Sequence, residues 1–505
     1  MDYPLMNKKN VLFIIADQFR GDCIGRGGNT IVKTPNLDRL AEEGVLFNSA
    51  YCQTSPCGPS RMCIYTSTYL CRNRTTTNCM PLKDAHENMA MDLFKKGYEP
   101  ILLGYNDYAV DPEILEEGDF RKTNHDYDSL LPGFKWGLDH EYDSKEYFES
   151  LREKGYSEEL LNKKEIHKNI VPSDYSGAHA DYYFPGIYNK EDSECWYITD
   201  ATINTIKNEK EKRENNESIP GWVVNLNYIK PHPPMVGCEE FLKLFDNVDL
   251  PMPHSCDEEL NSDHPVLKYF MKKEIKSEQH IKDLIRCYYA MIYEVDYNLG
   301  RILKYLEDSG QKDSTMIIFS SDHGEYLGDH HLRNKKLFFN QTMHIPYIIK
   351  NPLPEADNTR GKILDDFVES IDSAPTILSF LDVNVPSRYQ GKSLLPRLKS
   401  SDNKFHKSEI FHEWDYRNSM SKNTDQSTLS DKVCWVVRDK SYSFIQFAEM
   451  DVLPLLFDLS KDPYELNNIA NDDENIKILY LYSQKLLKWR MKNEDQRMQV
   501  WYDSV

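Results

Sequence analysis

The chain has 505 residues, 28% of them charged and 40% hydrophobic, and 61 basic against 81 acidic side chains leave a formal charge of −20. Aromatic residues at 12% supply enough apolar surface to exclude intrinsic disorder. The acidic excess argues against nucleic acid or an anionic membrane as partner, and the length predicts a large domain plus a smaller one.

The first residues, Met1-Asp2-Tyr3-Pro4, carry no basic region followed by a long apolar run. Val11–Ala16 falls far short of the roughly 20 apolar residues a membrane span needs. The 11 cysteines are odd in number, and those between positions 23 and 79 lack paired metal-type spacing. With no secretory signal they are expected to be reduced thiols, so the compartment reads as cytoplasmic.

Short apolar runs ending in turn or polar residues predict fully buried parallel strands at Val11–Ala16, Ile101–Leu103, Trp222–Leu226, Met316–Phe319 and Ile345–Ile349. Helical patterns lie between them. Thr34–Gly44 has a first-turn Pro35 and a terminal glycine, and Ile281–Leu306 has helical apolar spacing with Gly310 beyond it. This alternation predicts an α/β fold, a large doubly wound, mostly parallel sheet sandwiched by helices. Residues 110–215 are polar and Tyr-rich with weak periodicity, and read as an insertion over the sheet. Within them Lys207–Glu217 reads as a solvated loop. After Gly391–Pro396 the chain turns polar, then gives strand-like runs at Glu409–His412 and Val433–Val437 and a helix near 473–492. The expected organisation is a catalytic domain over 1–400 and a smaller C-terminal α+β domain over 401–505, with an antiparallel sheet.

Ligands of open α/β sheets bind beyond the carboxyl ends of the strands. There the sequence places Asp17, then Tyr105 and Asp107, then Lys230-Pro231-His232, then Asp322-His323. Two aspartates and an imidazole suit a divalent cation bound mainly through oxygen. Each residue alone also has a plainer reading: Asp17 as a helix cap, His323 as a satisfied turn residue, Cys57 as a small buried hydrophobe. Gly25-x-Gly27-x-x-Thr30 brushes against a dinucleotide fingerprint, but it starts well past the strand end and has Thr at its third position. His330 and His331, being adjacent, point apart and suit surface or loop roles. Cys52, Cys63, Cys71 and Cys79 are expected to pack near the helix carrying Cys57 rather than to hold zinc.

Ser55-Pro56-Cys57-Gly58-Pro59-Ser60-Arg61 contains the pattern Cys-x-Pro-Ser-Arg. With Ala16-Asp17-Gln18 and Thr34–Leu40 before it, and Lys230–Pro234, His264–Lys268, Ile292–Asp296, Ser321–His330 and Leu456–Asn468 after it, the chain resembles the type I sulfatases of the alkaline phosphatase superfamily. The resemblance runs closest to the arylsulfatase and phosphonate monoester hydrolase branch. It implies that Cys57 is oxidised to formylglycine by a maturation enzyme, and that Asp17, Cys57, Asp322 and His323 hold one metal ion, Ca²⁺ or Mn²⁺. It further implies that Arg61 orients the formylglycine, Lys335 meets substrate charge, His232 assists the leaving oxygen, and Asn78 and Tyr105 contact substrate. Gln18 and His323 stand where many carbohydrate sulfatases carry Asp and Asn, which favours the phosphonate hydrolase branch. Position 107 in that branch commonly presents a hydroxyl. Asp107 would repel an anion unless it bonds a cationic or hydroxylated group of the substrate. The implied activity is hydrolysis of small anionic esters, either sulfates, phosphonate monoesters or phosphodiesters, by a homo-oligomer. A carbohydrate sulfatase and an inactive binding protein of the same fold are the alternatives.

Overall fold

The computed structural model describes residues 8–122, 129–140, 144–173, 182–272, 277–400, 406–420 and 429–494. Its centre is an eight-stranded sheet of β1 (Asn10–Ala16), β2 (Val45–Tyr51), β3 (Pro100–Gly104), β4 (Lys135–Asp139), β5 (Val223–Tyr228), β6 (Thr315–Ser320), β7 (Tyr347–Lys350) and β8 (Lys362–Glu369), in the order β4-β3-β5-β1-β6-β7-β2-β8. β1 is central, with Ile14 opposite Leu226 of β5 on one side and Phe319 of β6 on the other. Successive β1 side chains enter opposite cores, as the period of two requires. Leu12 and Ile14 pack under helices Glu194–Glu214 and Glu278–Asp308, whereas Val11, Phe13 and Ile15 pack under helices Cys57–Thr66 and Ser373–Phe380. Burying each large apolar side chain contributes about 1.5–3 kcal/mol.

The five expected strands are all present, but one expectation about them fails. The run Ile345–Ile349 forms β7, which is antiparallel to both β6 and β2. The connection from β6 holds only short helical turns and no crossover helix, so the chain returns beside β6 in reverse. The residues 110–215 are also more regular than expected. They supply the edge strand β4, and Lys207–Glu214 is the end of the 21-residue helix Glu194–Glu214 rather than a solvated loop. That stretch buries Glu209 and Arg213, which mask its apolar stripe. His330 is fully buried rather than on the surface: it bonds Glu259 and stacks on Phe339, while His331 bonds the Cys256 carbonyl.

A second, antiparallel sheet joins β9 (Ile410–Asp415), β10 (Val433–Arg438), β11 (Tyr442–Phe447) and β12 (Leu455–Asp458) in the order β12-β11-β10-β9. Helix Ile476–Asn493 covers it through Tyr482 and Leu486. Several contacts tie the two sheets together. Glu413 N–H donates to the Gln53 carbonyl at 2.8 Å, and the Lys407 ammonium lies 2.6 Å from Glu369 and 2.7 Å from Asp372. All 11 cysteines are free. Among the described residues no helix is long and apolar enough to cross a membrane.

Candidate active site

The carboxyl ends of β1, β3, β5 and β6 deliver Asp17, Tyr105, His232 and Asp322-His323 to one edge of the sheet, and helix Cys57–Thr66 begins there. Hydrogen bonds knit these ends together. Ser321 Oγ accepts from Phe19 N–H and donates to the His323 carbonyl, and Ser60 Oγ donates to the Asp322 carbonyl. Gly324 is required by the next turn, since a Cβ there would lie 2.0 Å from the Gln341 carbonyl oxygen.

One donor atom from each of Asp17, Cys57, Asp322 and His323 lies within 4.8 Å of all the others, and all four residues are buried. Cys57 Sγ is 3.3 Å from His323 Nε2 and 3.8 Å from Asp17 Oδ1. Arg61 sets the orientation of both carboxylates. Its Nη2 is 3.2 Å from Asp17 Oδ2 and its Nε 3.0 Å from Asp322 Oδ2, so each Oδ1 is left on the side of Cys57 and His323. Asp322 Oδ1 also accepts from the backbone N–H groups of Gln18 and His323. His323 Nδ1 faces the Gly324 carbonyl at 3.0 Å. A carbonyl can only accept, so Nδ1 carries the hydrogen and Nε2 keeps its lone pair for a metal. Two carboxylate oxygens and a free imidazole nitrogen fit a divalent cation.

The electrostatics follow from burial and close charges. Burial alone would raise the Asp17 pKa, but His232, Lys335 and Arg61 outweigh it and hold the carboxyl below the usual range. Burial lowers His323 to about 4, leaving it neutral and able to ligate. Burial, then Asp17, push the Cys57 thiol well up, so an unmodified Cys57 is not a thiolate. Burial and then Lys335 lower the His232 pKa. His232 Nδ1 lies 2.6 Å from the Pro233 carbonyl, which fixes its hydrogen there and makes Nε2 the titrating atom.

Lys335 Nζ donates to Cys57 Sγ and to Gln18 Oε1, each at 3.0 Å. Asn78 is at the rim and accepts from Gly58 N–H at 3.0 Å through Oδ1. Tyr105 lies beneath the carboxylates: its hydroxyl is 2.7 Å from Arg61 Nη2 and its ring centroid 4.0 Å from the guanidinium. Arg61 is accordingly found clamping Asp17 and Asp322. Asp107 sits at φ 56° beside the helix start, 7% exposed, and its Oδ2 is buried without a partner. Burial, and next Asp17 and Asp322, raise its pKa to about 7 against the opposing pull of Arg61. Gln18 and Glu325, which the sequence marks only as motif residues, also build the site. Gln18 bonds both Lys335 and Glu325, and Glu325 Oε1 accepts from Leu327 N–H and Asn334 N–H, anchoring the turn that carries Lys335. Glu325 lies two residues past His323, so strand-end proximity was its available signal.

The sulfatase family profile matches residues 9–383, and the profile for the C-terminal region of N-sulphoglucosamine sulphohydrolase matches residues 328–492. The chain belongs to the sulfatase family. A multifunctional alkaline phosphatase superfamily protein, PehA, of Trinickia caryophylli is 32% identical, over 98% of this chain and 97% of that protein. An N-acetylglucosamine-6-O-sulfatase of Bacteroides thetaiotaomicron is 25% identical over 93% of this chain and 84% of the relative. The crystal structure of the phosphonate monoester hydrolase of Agrobacterium radiobacter superposes with a TM-score of 0.85 at 30% identity, covering 97% of both chains. This sulfatase-family chain is a hydrolase of sulfuric or phosphonic esters, and its buried Cys–Asp–Asp–His cluster lies where the strand ends converge.

Proposed function

We propose that the protein is a metal-dependent hydrolase of sulfate esters, phosphonate monoesters or phosphodiesters that uses a formylglycine derived from Cys57 as nucleophile. The observation that carries this reading is the convergence of Asp17, Cys57, Asp322 and His323 within 4.8 Å. These four side chains would hold a divalent cation, Ca²⁺ or Mn²⁺, which supplies Lewis acidity when bound. Formylglycine would supply at position 57, as its hydrate, one hydroxyl as nucleophile and a second whose deprotonation expels the product and restores the aldehyde. The Cys57 thiol, held protonated by burial, is a poor nucleophile without that conversion.

The chain's own groups perform the rest. Lys335 contacts the side chain at position 57 and offsets charge on the transferred group. Arg61 keeps both carboxylates turned toward the metal position. His232, whose Nδ1 hydrogen is committed to a carbonyl, can take up its second, transferable proton only at Nε2 and delivers it from there to the leaving oxygen. Free cysteines throughout suit a reducing, cytoplasmic setting. Mass spectrometry of the Cys57 peptide, after coexpression with a maturation enzyme, decides the mechanism: an unmodified thiol in fully active protein would sink it.

A second reading is favoured by Asp107. A buried carboxylate oxygen without a partner suits a substrate that brings its own hydroxyl or amino donor, as a sulfated amino sugar does. Parallel assays on an aryl sulfate, a phenyl phosphonate and a sulfated amino sugar separate the two. A sugar substrate preferred by wild type but not by Asp107→Ala supports the second.

A further inference from the structure

Lys230 is 4% exposed and Glu294, on helix Glu278–Asp308, is fully buried. Neither contacts the reacting groups. The Lys230 ammonium is 2.6 Å from Glu294 Oε2, and donates to Tyr188 Oη at 3.0 Å and to the Val236 carbonyl at 3.2 Å. Its three hydrogens are thus all used. Tyr188 Oη donates to the same Val236 carbonyl at 3.3 Å. Lys230 opens the segment that carries His232 and Val236 closes it, so one buried ammonium pins both ends of that segment to a helix and to the 110–215 region. Among the described residues, the hydrogen bonds of His232 are short-range, its N–H to the Ile229 carbonyl and Nδ1 to the Pro233 carbonyl. These bonds orient the ring relative to its own segment, so the place of Nε2 relative to a leaving oxygen depends on where the segment as a whole is held.

We infer that the buried Lys230–Glu294 pair, with Tyr188, is the positioning device for His232, holding Nε2 in line with the leaving oxygen. The inference rests on the proposed role of His232 as proton donor. Lys230, Glu294 and Tyr188 are positioning residues and touch no substrate. The device acts on one step alone. A leaving group that departs readily without a proton needs little from His232, whereas a basic one depends on it.

The test uses the matured, metal-loaded protein and aryl phenylphosphonate monoesters with leaving groups from 4-nitrophenol to phenol. The readout is the ratio of kcat for the 4-nitrophenyl ester to kcat for the phenyl ester. The variant is Lys230→Met combined with Glu294→Gln, which removes both charges and leaves no buried ion uncompensated. Tyr188→Phe, which deletes one hydroxyl, serves as the milder variant should the double substitution fold poorly. His232→Ala is the reference. The ratio is expected to rise by about 100-fold or more in His232→Ala, the usual scale of general-acid assistance. It should rise by about 10-fold in the double variant and by a smaller factor in Tyr188→Phe, as a misplaced acid requires. An equal loss across all leaving groups, or no loss, in both positioning variants while His232→Ala shows the steep series overturns the inference alone. A flat series for His232→Ala overturns the role of His232 and the inference together.

Discussion

At the scale of single residues, the site separates the two oxygens of each carboxylate. Arg61 takes both Oδ2 atoms, and the Oδ1 atoms stay with Cys57 and His323. Lys335 contacts the position-57 side chain, and in the proposed mechanism it would meet charge that develops on the transferred group. Lys335→Ala is expected to lower kcat by about 10²–10³-fold, the scale of one lost preorganised donor, while a thermal melt stays within a few degrees of wild type. Wild-type turnover in that variant would remove Lys335 from the site. The same substitution moves the pH profile. The Lys335 charge helps hold the His232 pKa down, so its removal raises the pH at which His232 loses its proton. The alkaline fall in kcat/KM for a phenyl ester should then shift to higher pH, and an unmoved limb would place His232 outside the reach of Lys335.

At the scale of elements, the turns after the strands are fixed by close backbone approach. Gly324→Ala puts a Cβ against the Gln341 carbonyl oxygen. It should cost about 1–3 kcal/mol of stability in denaturant unfolding and abolish turnover, because it displaces His323. β7 carries a different tension. Lys350 is 3% exposed, bonds the Lys312 carbonyl, and has its pKa lowered to about 8, first by burial. The unfolded chain titrates nearer 10.5, so between about pH 8 and 10.5 it binds more protons than the folded protein, and the Lys350 contribution to stability rises with pH. Lys350→Met is expected to be more stable than wild type at pH 7 by about 1–3 kcal/mol. The gap should narrow as pH rises through that window. Parallel denaturation curves at pH 7 and pH 10 check both the sign and the narrowing.

At the scale of the whole molecule, the second sheet buttresses the segment that leads into Cys57. β9 bonds Gln53, and partly buried Lys407 bridges Glu369 at the end of β8 to Asp372. Lys407 holds Asp372 well below the usual carboxylate range against the burial that would raise it. Lys407→Ala takes the ammonium from two buried carboxylates, leaving Asp372 with His406 and Glu369 with the Tyr69 hydroxyl, and should destabilise the chain by about 1–3 kcal/mol. Denaturant unfolding that leaves the midpoint unchanged would refute a buttressing role. The net charge of −20 opposes an anionic substrate from a distance, but in the proposed mechanism Arg61, Lys335 and the cation that the cluster would hold act at contact range. Screening weakens the distant charges far more than the near ones.

The amino-acid sequence by itself determined which chemistry is present and which end of the sheet holds it. Short apolar runs ending in Asp17, Tyr105, Lys230 and Asp322 mark buried strands and their carboxyl ends, because burial on both faces and the turn that follows are properties of contiguous residues. The motif around Cys57 added the family. The direction of β7 was invisible, since a strand buried on both faces reads the same either way. β2, β4 and β8 were missed because polar residues interrupt them, as Lys362, Asp365 and Asp366 do in β8. Only the tertiary structure decided that Arg61 orients the two carboxylates, that Gln18 and Glu325 brace Lys335, and that Glu294 neutralises Lys230. Those pairings join residues far apart in the chain, so they depend on the path of the backbone and on which buried charges it brings within about 3 Å of each other.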